Sequence, residues 1–388
     1  MLIDLDVAPP PVPPRSRRPP WRPIRVAVAA AVLLLLGGVT MAPRQVVFPE
    51  VAGTGGRSVS DSLVTPEALY TVFDATGDDS VEVVAQPLVA GGPSWQVEAP
   101  LLAADSLSLS RIGSVLVVQD EVTVKILDVA TGRDRWSAGD ATALVLGDGV
   151  LIRDDDGEVR FADVETGTVR WRQRTDVIEA HADASGRYLF LIGTDLTVQV
   201  RSAADGRLLA RRAMGEALEE SIPVLAGDRV YLLGASTVTA LRLTDLTTVW
   251  TARPLVMHPT EVVPCGAVLC VRGQSGISAL DPATGALRWT APGWVGLSGG
   301  VAQRSDGRNA VLDPETGTVV RHLGPGRVAG DLMLRLDGDR TQVTDLRTGR
   351  LYGTLPDVVP YGCTAAGEFL ACRKSGGVTV WRIIRTAS

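Results

Sequence analysis

Residues 279–289 read ALDPATGALRW, residues 161–171 read FADVETGTVRW, and the same frame recurs in VKILDVATGRDRW, which ends at Trp136. Each copy has a short β-rich run, then Asp-x-x-Thr-Gly, then a second run that ends in Trp. Asp and Thr side chains accept hydrogen bonds from the backbone of a tight turn, and Gly supplies the positive φ such turns need. The eleven letters therefore read as a strand, a turn and the strand that follows.

Working outward, the Trp position defines a slot that recurs along the chain. VTALRLTDLTTVW keeps Ala240 and Trp250, and VEVVAQPLVAGGPSW keeps Ala85, Gly91 and Trp95. Three weaker copies place Ala210, Arg321 and Gly353 in the slot. The eight positions 95, 136, 171, 210, 250, 289, 321 and 353 are separated by 32 to 41 residues, a period that marks a repeat architecture. Within one period, residues 142–172 divide into four short β-rich runs separated by turn residues. Four antiparallel strands per unit make one blade of a β-propeller, so the fold class is all-β, a propeller of four-stranded blades.

The pattern A-x-D-x-x-T-G-x-x-x-W resembles the tryptophan-docking motif of the quinoprotein-like (PQQ-like) β-propeller repeats over about residues 60–385. The resemblance implies that the outermost strand of each blade carries a Trp that packs onto the next blade. That role falls here to Trp95, Trp136, Trp171, Trp250 and Trp289, whereas Trp21, Trp294 and Trp381 lie outside the register. After Gly353, residues 358–385 supply three more strands, and the fourth must come from the other end of the chain. If the stretch around Trp95 closes the ring there are eight blades; if residues 45–51 close it there are nine. Eight has the precedent in the family and is the expectation.

The N-terminal portion has a different composition. Residues 1–23, with APPPVPPRSRRPPWRP at 8–23, are too rich in proline for helix or sheet and are expected to form a disordered cytoplasmic arm. Residues 26–42 form a run of 17 without a charge, which as helix covers roughly 25 Å of hydrocarbon. A single transmembrane helix is expected at 24–42. Five arginines precede it and only Arg44 and Arg57 follow closely, which places the N-terminus in the cytoplasm and the remainder outside the cytoplasmic membrane. Cleavage as a signal peptide is the alternative, but the apolar core is long and Pro43 follows the best small-residue site, Thr40-Met41-Ala42. Residues 43–60 read as a stalk or ring-closing segment, and 61–388 as the propeller.

Four cysteines fall as Cys265-x4-Cys270 and Cys363-x8-Cys372. Each spacing suits two strands of a hairpin, and local disulfides are expected in an extracytoplasmic protein. A metal site is disfavoured, because neither spacing is a zinc knuckle and His181, His258 and His322 are scattered. With 38 basic and 44 acidic residues the net charge is −6, which argues against a nucleic-acid partner.

Quinone-dependent dehydrogenases share this type of propeller, but they resemble longer chains with adjacent cysteines, and the connections here leave little material for a cofactor lid or calcium cage. Gly296-Leu297-Ser298-Gly299-Gly300 matches a nucleophile elbow by letter, with Asp313 and His322 following. The elbow needs a helix after the serine, and the context is a strand. Asp154-Asp155-Asp156-Gly157 reads as a hairpin turn rather than a calcium loop.

The longest connections between units are 214–223, with Glu216, Glu219 and Glu220, and 254–261, with Met257 and His258. They are the expected contact surface. The function expected is that of a non-enzymatic, membrane-anchored scaffold or sensor for an extracytoplasmic protein, peptide or envelope glycan, with no cofactor and no metal. The alternative is an extracytoplasmic quinone- or calcium-dependent oxidoreductase.

Overall fold

The computed structural model describes residues 48–385 apart from 75–79, 101–106, 121–122, 140–141, 155–156, 216–217, 219–220 and 299. The expected arm (1–23), the expected transmembrane helix (24–42) and Trp21 lie outside the described residues. Among the described residues no helix is long and apolar enough to cross a membrane.

The strands, numbered β1 to β36 in chain order, follow the local pattern of turn residues and β-branched runs. In one repeat, β10 (Thr142–Leu146), β11 (Gly149–Arg153), β12 (Glu158–Asp163) and β13 (Val169–Arg174) pair antiparallel in that order. The middle strands β11 and β12 bury Val150, Ile152, Val159 and Phe161, because neighbouring sheets cover both of their faces. The outer strand β13 reads VRWRQR and buries mainly its tryptophan. This order repeats in residues 61–100, 108–138, 142–174, 179–213, 222–252, 259–292, 294–325 and 327–356, which form blades 1 to 8. The first strands of neighbouring blades approach each other and so lie nearest the axis.

The ninth sheet closes the ring. It contains β34 (Cys363–Ala366), β35 (Phe369–Lys374) and β36 (Gly377–Arg382), and its outer strand is β1 (Glu50–Gly53), with Glu50 opposite Trp381 and Gly53 opposite Thr379. The described residues therefore form nine blades in place of the expected eight. The stretch around Trp95 cannot close the ring, because β5 (Trp95–Pro100) is already the outer strand of a complete sheet with β2 (Asp61–Val64), β3 (Ala68–Asp74) and β4 (Ser80–Pro87). Residues 45–51, the second option, hold the first part of the closing strand, which covers the edge that β36 would otherwise present.

Apolar layers fill the gaps between blades. Between blades 1 and 2, Tyr70, Val83, Leu116 and Leu127 are fully buried in one cluster. At roughly 1.5–3 kcal/mol for each large apolar side chain removed from water, these layers are the main source of stability. Disulfides join Cys265 to Cys270 and Cys363 to Cys372, with Cα atoms 5.8 and 4.0 Å apart. Cys363 lies directly opposite Cys372 across the β34–β35 ladder.

Alternating strand direction gives the ring two unlike faces. The first and third turns of the blades, the latter carrying Thr-Gly in blades 2, 3, 6, 7 and 8, share what we call the turn face. The second turns and the connections between blades share the connection face.

Candidate functional site

The slot tryptophans show how each blade is fixed to the next. The indole Nε1–H of Trp95 donates to the Val129 carbonyl at 2.9 Å, and Trp136, Trp171, Trp250 and Trp289 donate to Val164, Ala203, Pro282 and Pro314 at 3.0–3.1 Å. Each acceptor follows the turn's first position in the adjoining blade. Each ring lies on that turn's glycine, so that a Cβ added at Gly132, Gly167, Gly206, Gly285 or Gly317 would stand only 2.4–2.8 Å from the nearest ring atom. The turn glycine thus serves two needs, a positive φ and bare backbone for the ring.

The turn aspartate locks the other side. Asp281 accepts from the Ala283 and Thr284 N–H groups at 2.9 and 3.0 Å and from the Thr284 hydroxyl at 3.1 Å, and it pairs with Arg288. The Arg288 guanidinium, followed by the Thr284 N–H, holds the Asp281 carboxyl down to about 2. Asp245 is also held at about 2, first by the Thr247 hydroxyl, then by the Thr247 N–H and Arg242.

All eight slot positions occupy one register, each opposite a residue of the third strand, as in Phe161 with Trp171, Val200 with Ala210, Val311 with Arg321 and Val343 with Gly353. At Ala210 the indole is missing and so is the glycine beyond it. Leu246 stands there with φ 56°, 1% exposed, and packs in the same cluster as Leu209 and Ala210. Trp294 and Trp381 are outside the register yet buried, Trp294 at 7% exposure against 8% for Trp171. Register marks the inter-blade dock; burial extends beyond it.

On the connection face, residues 254–258 run between blades 5 and 6. Pro254 and Val256 are buried, while Leu255 and Met257 are 71% and 60% exposed and His258 is exposed beside them. The backbone here is pinned from several sides. Leu255 N–H donates to Ser278 Oγ at 3.1 Å, Met257 N–H to Ser275 Oγ at 2.9 Å, His258 N–H to the Ala235 carbonyl at 3.1 Å, and Gln274 N–H to the Met257 carbonyl at 2.8 Å. Ile178 and Ile222, at the entries to blades 4 and 5, and Val359 and Tyr361, at the entry to blade 9, are exposed on the same face. The other expected contact residues, Glu216, Glu219 and Glu220, lie outside the described residues. Leu218 among them is buried with the blade 4 and 5 layer.

A family model described as outer membrane protein assembly factor BamB matches residues 77–216 and 155–381, most of the ring. The chain belongs to the PQQ-like β-propeller family. Among solved structures it is similar to BamB from Moraxella catarrhalis, 15% identical over 88% of this chain and 100% of that one, with a TM-score of 0.46. The computationally designed protein Ika8 is 16% identical over 72% of this chain and 96% of its own, and Saccharomyces cerevisiae Sqt1 is 12% identical over 87% and 98%, each with a TM-score of 0.50. At such identities the likeness concerns the fold alone. No curated protein sequence matches the chain.

The letter matches to catalytic motifs resolve into ring architecture. Ser298 ends β26 (Trp294–Ser298) at a turn into β27 (Val301–Arg304), a strand-to-strand turn with no helix following it. Asp313 accepts from the Glu315 and Thr316 N–H groups of its own Thr-Gly turn. Asp154 begins a hairpin turn, accepting at its carbonyl from Gly157 N–H and pairing with Arg160; Asp155 and Asp156 lie outside the described residues. Among the described residues, no three His, Cys, Asp or Glu side chains are grouped to hold a metal. The slot departures at Ala210 and Arg321 border cavities on the turn face, one lined by Leu209 and Thr244 and the other by Arg321 itself. The repeat pattern located these departures but not the spaces beside them.

Proposed function

We propose that this chain is a non-enzymatic scaffold that holds another protein on its connection face. Under this reading the ring stands outside the cytoplasmic membrane, tethered by residues 24–42. The observation that carries the proposal is the 254–258 segment, where two large apolar side chains face water from a backbone pinned by four hydrogen bonds. Exposed apolar residues on rigid backbone lose little entropy on binding and bury area when a partner covers them. The description of the matching family as an assembly factor for outer membrane proteins supports a protein as partner over a peptide or glycan.

The test uses the full chain in its own membrane, with a photo-activated cross-linker at Met257 or, as control, at Thr166 on the turn face. Cross-linking from Met257 to a protein partner, lost when Leu255→Asp is added in a protein that keeps its thermal midpoint, is the expected result. Equal capture from both positions, or capture from Met257 that survives Leu255→Asp, overturns the choice of face.

A further inference from the structure

Blade 8 carries a dock built like its siblings but without a ring upon it. Gly349 holds φ +74°, as the other turn glycines do, yet nothing lies within 4 Å of where its Cβ would stand. The slot residue opposite is Arg321, whose Nη2 donates to the Leu346 carbonyl at 2.5 Å, while Nη1 donates to the Arg347 carbonyl. Leu346 follows Asp345 as Pro314 follows Asp313. The arginine therefore keeps the hydrogen bond of the dock and leaves the glycine uncovered.

A cavity of about 1090 Å³ opens beside this place, lined by Trp289, Pro314, Arg321 and Arg347, with Val301 and Leu312 among its apolar lining. It is large enough for several side chains. Its acidic members are already engaged: Asp345 accepts from its own turn and from the Tyr352 hydroxyl at 2.7 Å, and Asp331 takes a two-pronged pair from Arg385 at 2.6 and 2.9 Å. Among the described residues neither Arg321 nor Arg347 forms an ion pair. The inter-blade layer behind the cavity is also thin: among the described residues its buried cluster consists of Val301, Leu323 and Met333, with Val311, Val328 and Leu346 partly buried against it.

We propose that this cavity is a second binding site, on the turn face, for a partner segment that carries an aromatic side chain beside a carboxylate. A flat ring suits the place because the cavity adjoins Gly349, whose counterparts each carry an indole in five sibling docks, and because guanidinium faces favour aromatic faces. The carboxylate matches the two arginines that lack an anionic partner, and a forked guanidinium recognises it by geometry as well as charge. The site goes beyond the connection-face reading and does not depend on it.

The probe is a fluorescein-labelled nine-residue peptide, blocked at both ends, with Glu-Trp-Glu at the centre of a Gly/Ser sequence, titrated by polarisation into the full chain in detergent micelles. Saturable binding is expected, weakened at least about tenfold when the peptide Trp becomes Ala or both Glu become Lys. Arg321→Trp restores the repeat's own ring to the dock, so it should raise the thermal midpoint and weaken the peptide by about tenfold or more. Arg347→Glu, at an exposed position, should weaken the acidic peptide without altering the fold, and it decides the matter if Arg321→Trp does not fold. Leu255→Asp should leave peptide binding unchanged. No saturation up to about 1 mM peptide, equal binding of the alanine peptide, or undiminished binding by Arg347→Glu or by a folded Arg321→Trp protein overturns the proposal.

Discussion

An indole laid on a bare glycine is the contact from which the ring is assembled. Because Trp171 is buried and its N–H is satisfied by the Ala203 carbonyl, Trp171→Ala should cost about 3–5 kcal/mol, leaving both a cavity and an unpaired acceptor. Trp289 is only half-buried, so Trp289→Ala should cost less in a denaturant titration, while Trp294→Ala should rank with Trp171→Ala. Equal losses at Trp171 and Trp289 would contradict this. Leu246 makes a sharper case. Ala210→Trp alone should destabilise by steric conflict with Leu246, and adding Leu246→Gly should recover most of the loss, which a double-mutant cycle reads as a coupling energy. The turn aspartates add a dependence on acid pH. Asp245 and Asp281 have folded values of about 2, below the ordinary value of about 3.9. Their contribution is therefore fully present above that ordinary value and is lost as pH falls from about 4 toward about 2. Asp281→Asn should reduce the slope of thermal midpoint against pH in that window and leave the slope above about pH 5 unchanged.

At the level of strands and hairpins, two covalent and one non-covalent closure hold the C-terminal part of the ring. The disulfides close loops that loop-closure entropy values at about 2–3 kcal/mol each, less any strain. Peptide mapping without reduction should recover Cys265 with Cys270 and Cys363 with Cys372; a Cys265–Cys363 peptide would refute the local pairing. The strand β1 is the non-covalent closure. Besides its pairing with β36, Thr54 N–H donates to the Val378 carbonyl at 2.9 Å, and Phe48 is buried with Trp381 and Leu355. A chain beginning at residue 60 should consequently unfold at lower denaturant and self-associate through the β36 edge, whereas one beginning at residue 46 should do neither. Equal midpoints for the two would mean that β1 is dispensable.

For the whole ring, stability should not be uniform around the circle. The layer between blades 7 and 8 buries three large residues, while that between blades 1 and 2 buries many more, Tyr70, Leu116 and Leu127 among them. Native-state hydrogen exchange should therefore find the amides of β30 (Arg327–Ala329) and β27 opening at lower free energy than those of β3 and β7 (Val115–Gln119). Uniform protection would show that the ring opens only as a unit. The same thin layer backs the turn-face cavity, so a ligand seated there should slow exchange in blades 7 and 8 before other blades.

The strands, the turns and the docking register were legible in the letters because each depends on neighbours within one repeat. A Thr-Gly turn needs its Asp four residues before the glycine, and the slot tryptophan stands four residues after that glycine on the strand the turn leads into, although it docks on the next blade's glycine. Those are short-range constraints, and all eight slot positions occupy the register that the alignment assigns. Blade number was not legible, because ring closure joins Glu50–Gly53 to Gly377–Arg382 across the whole chain, and no local pattern distinguishes a closing strand from a stalk. The burial of Trp294, the filling of the Ala210 slot by Leu246 and the open dock at Gly349 were likewise decided by tertiary structure. Each depends on what the adjoining blade brings within van der Waals reach, and that is fixed only when the blades are stacked in a closed ring.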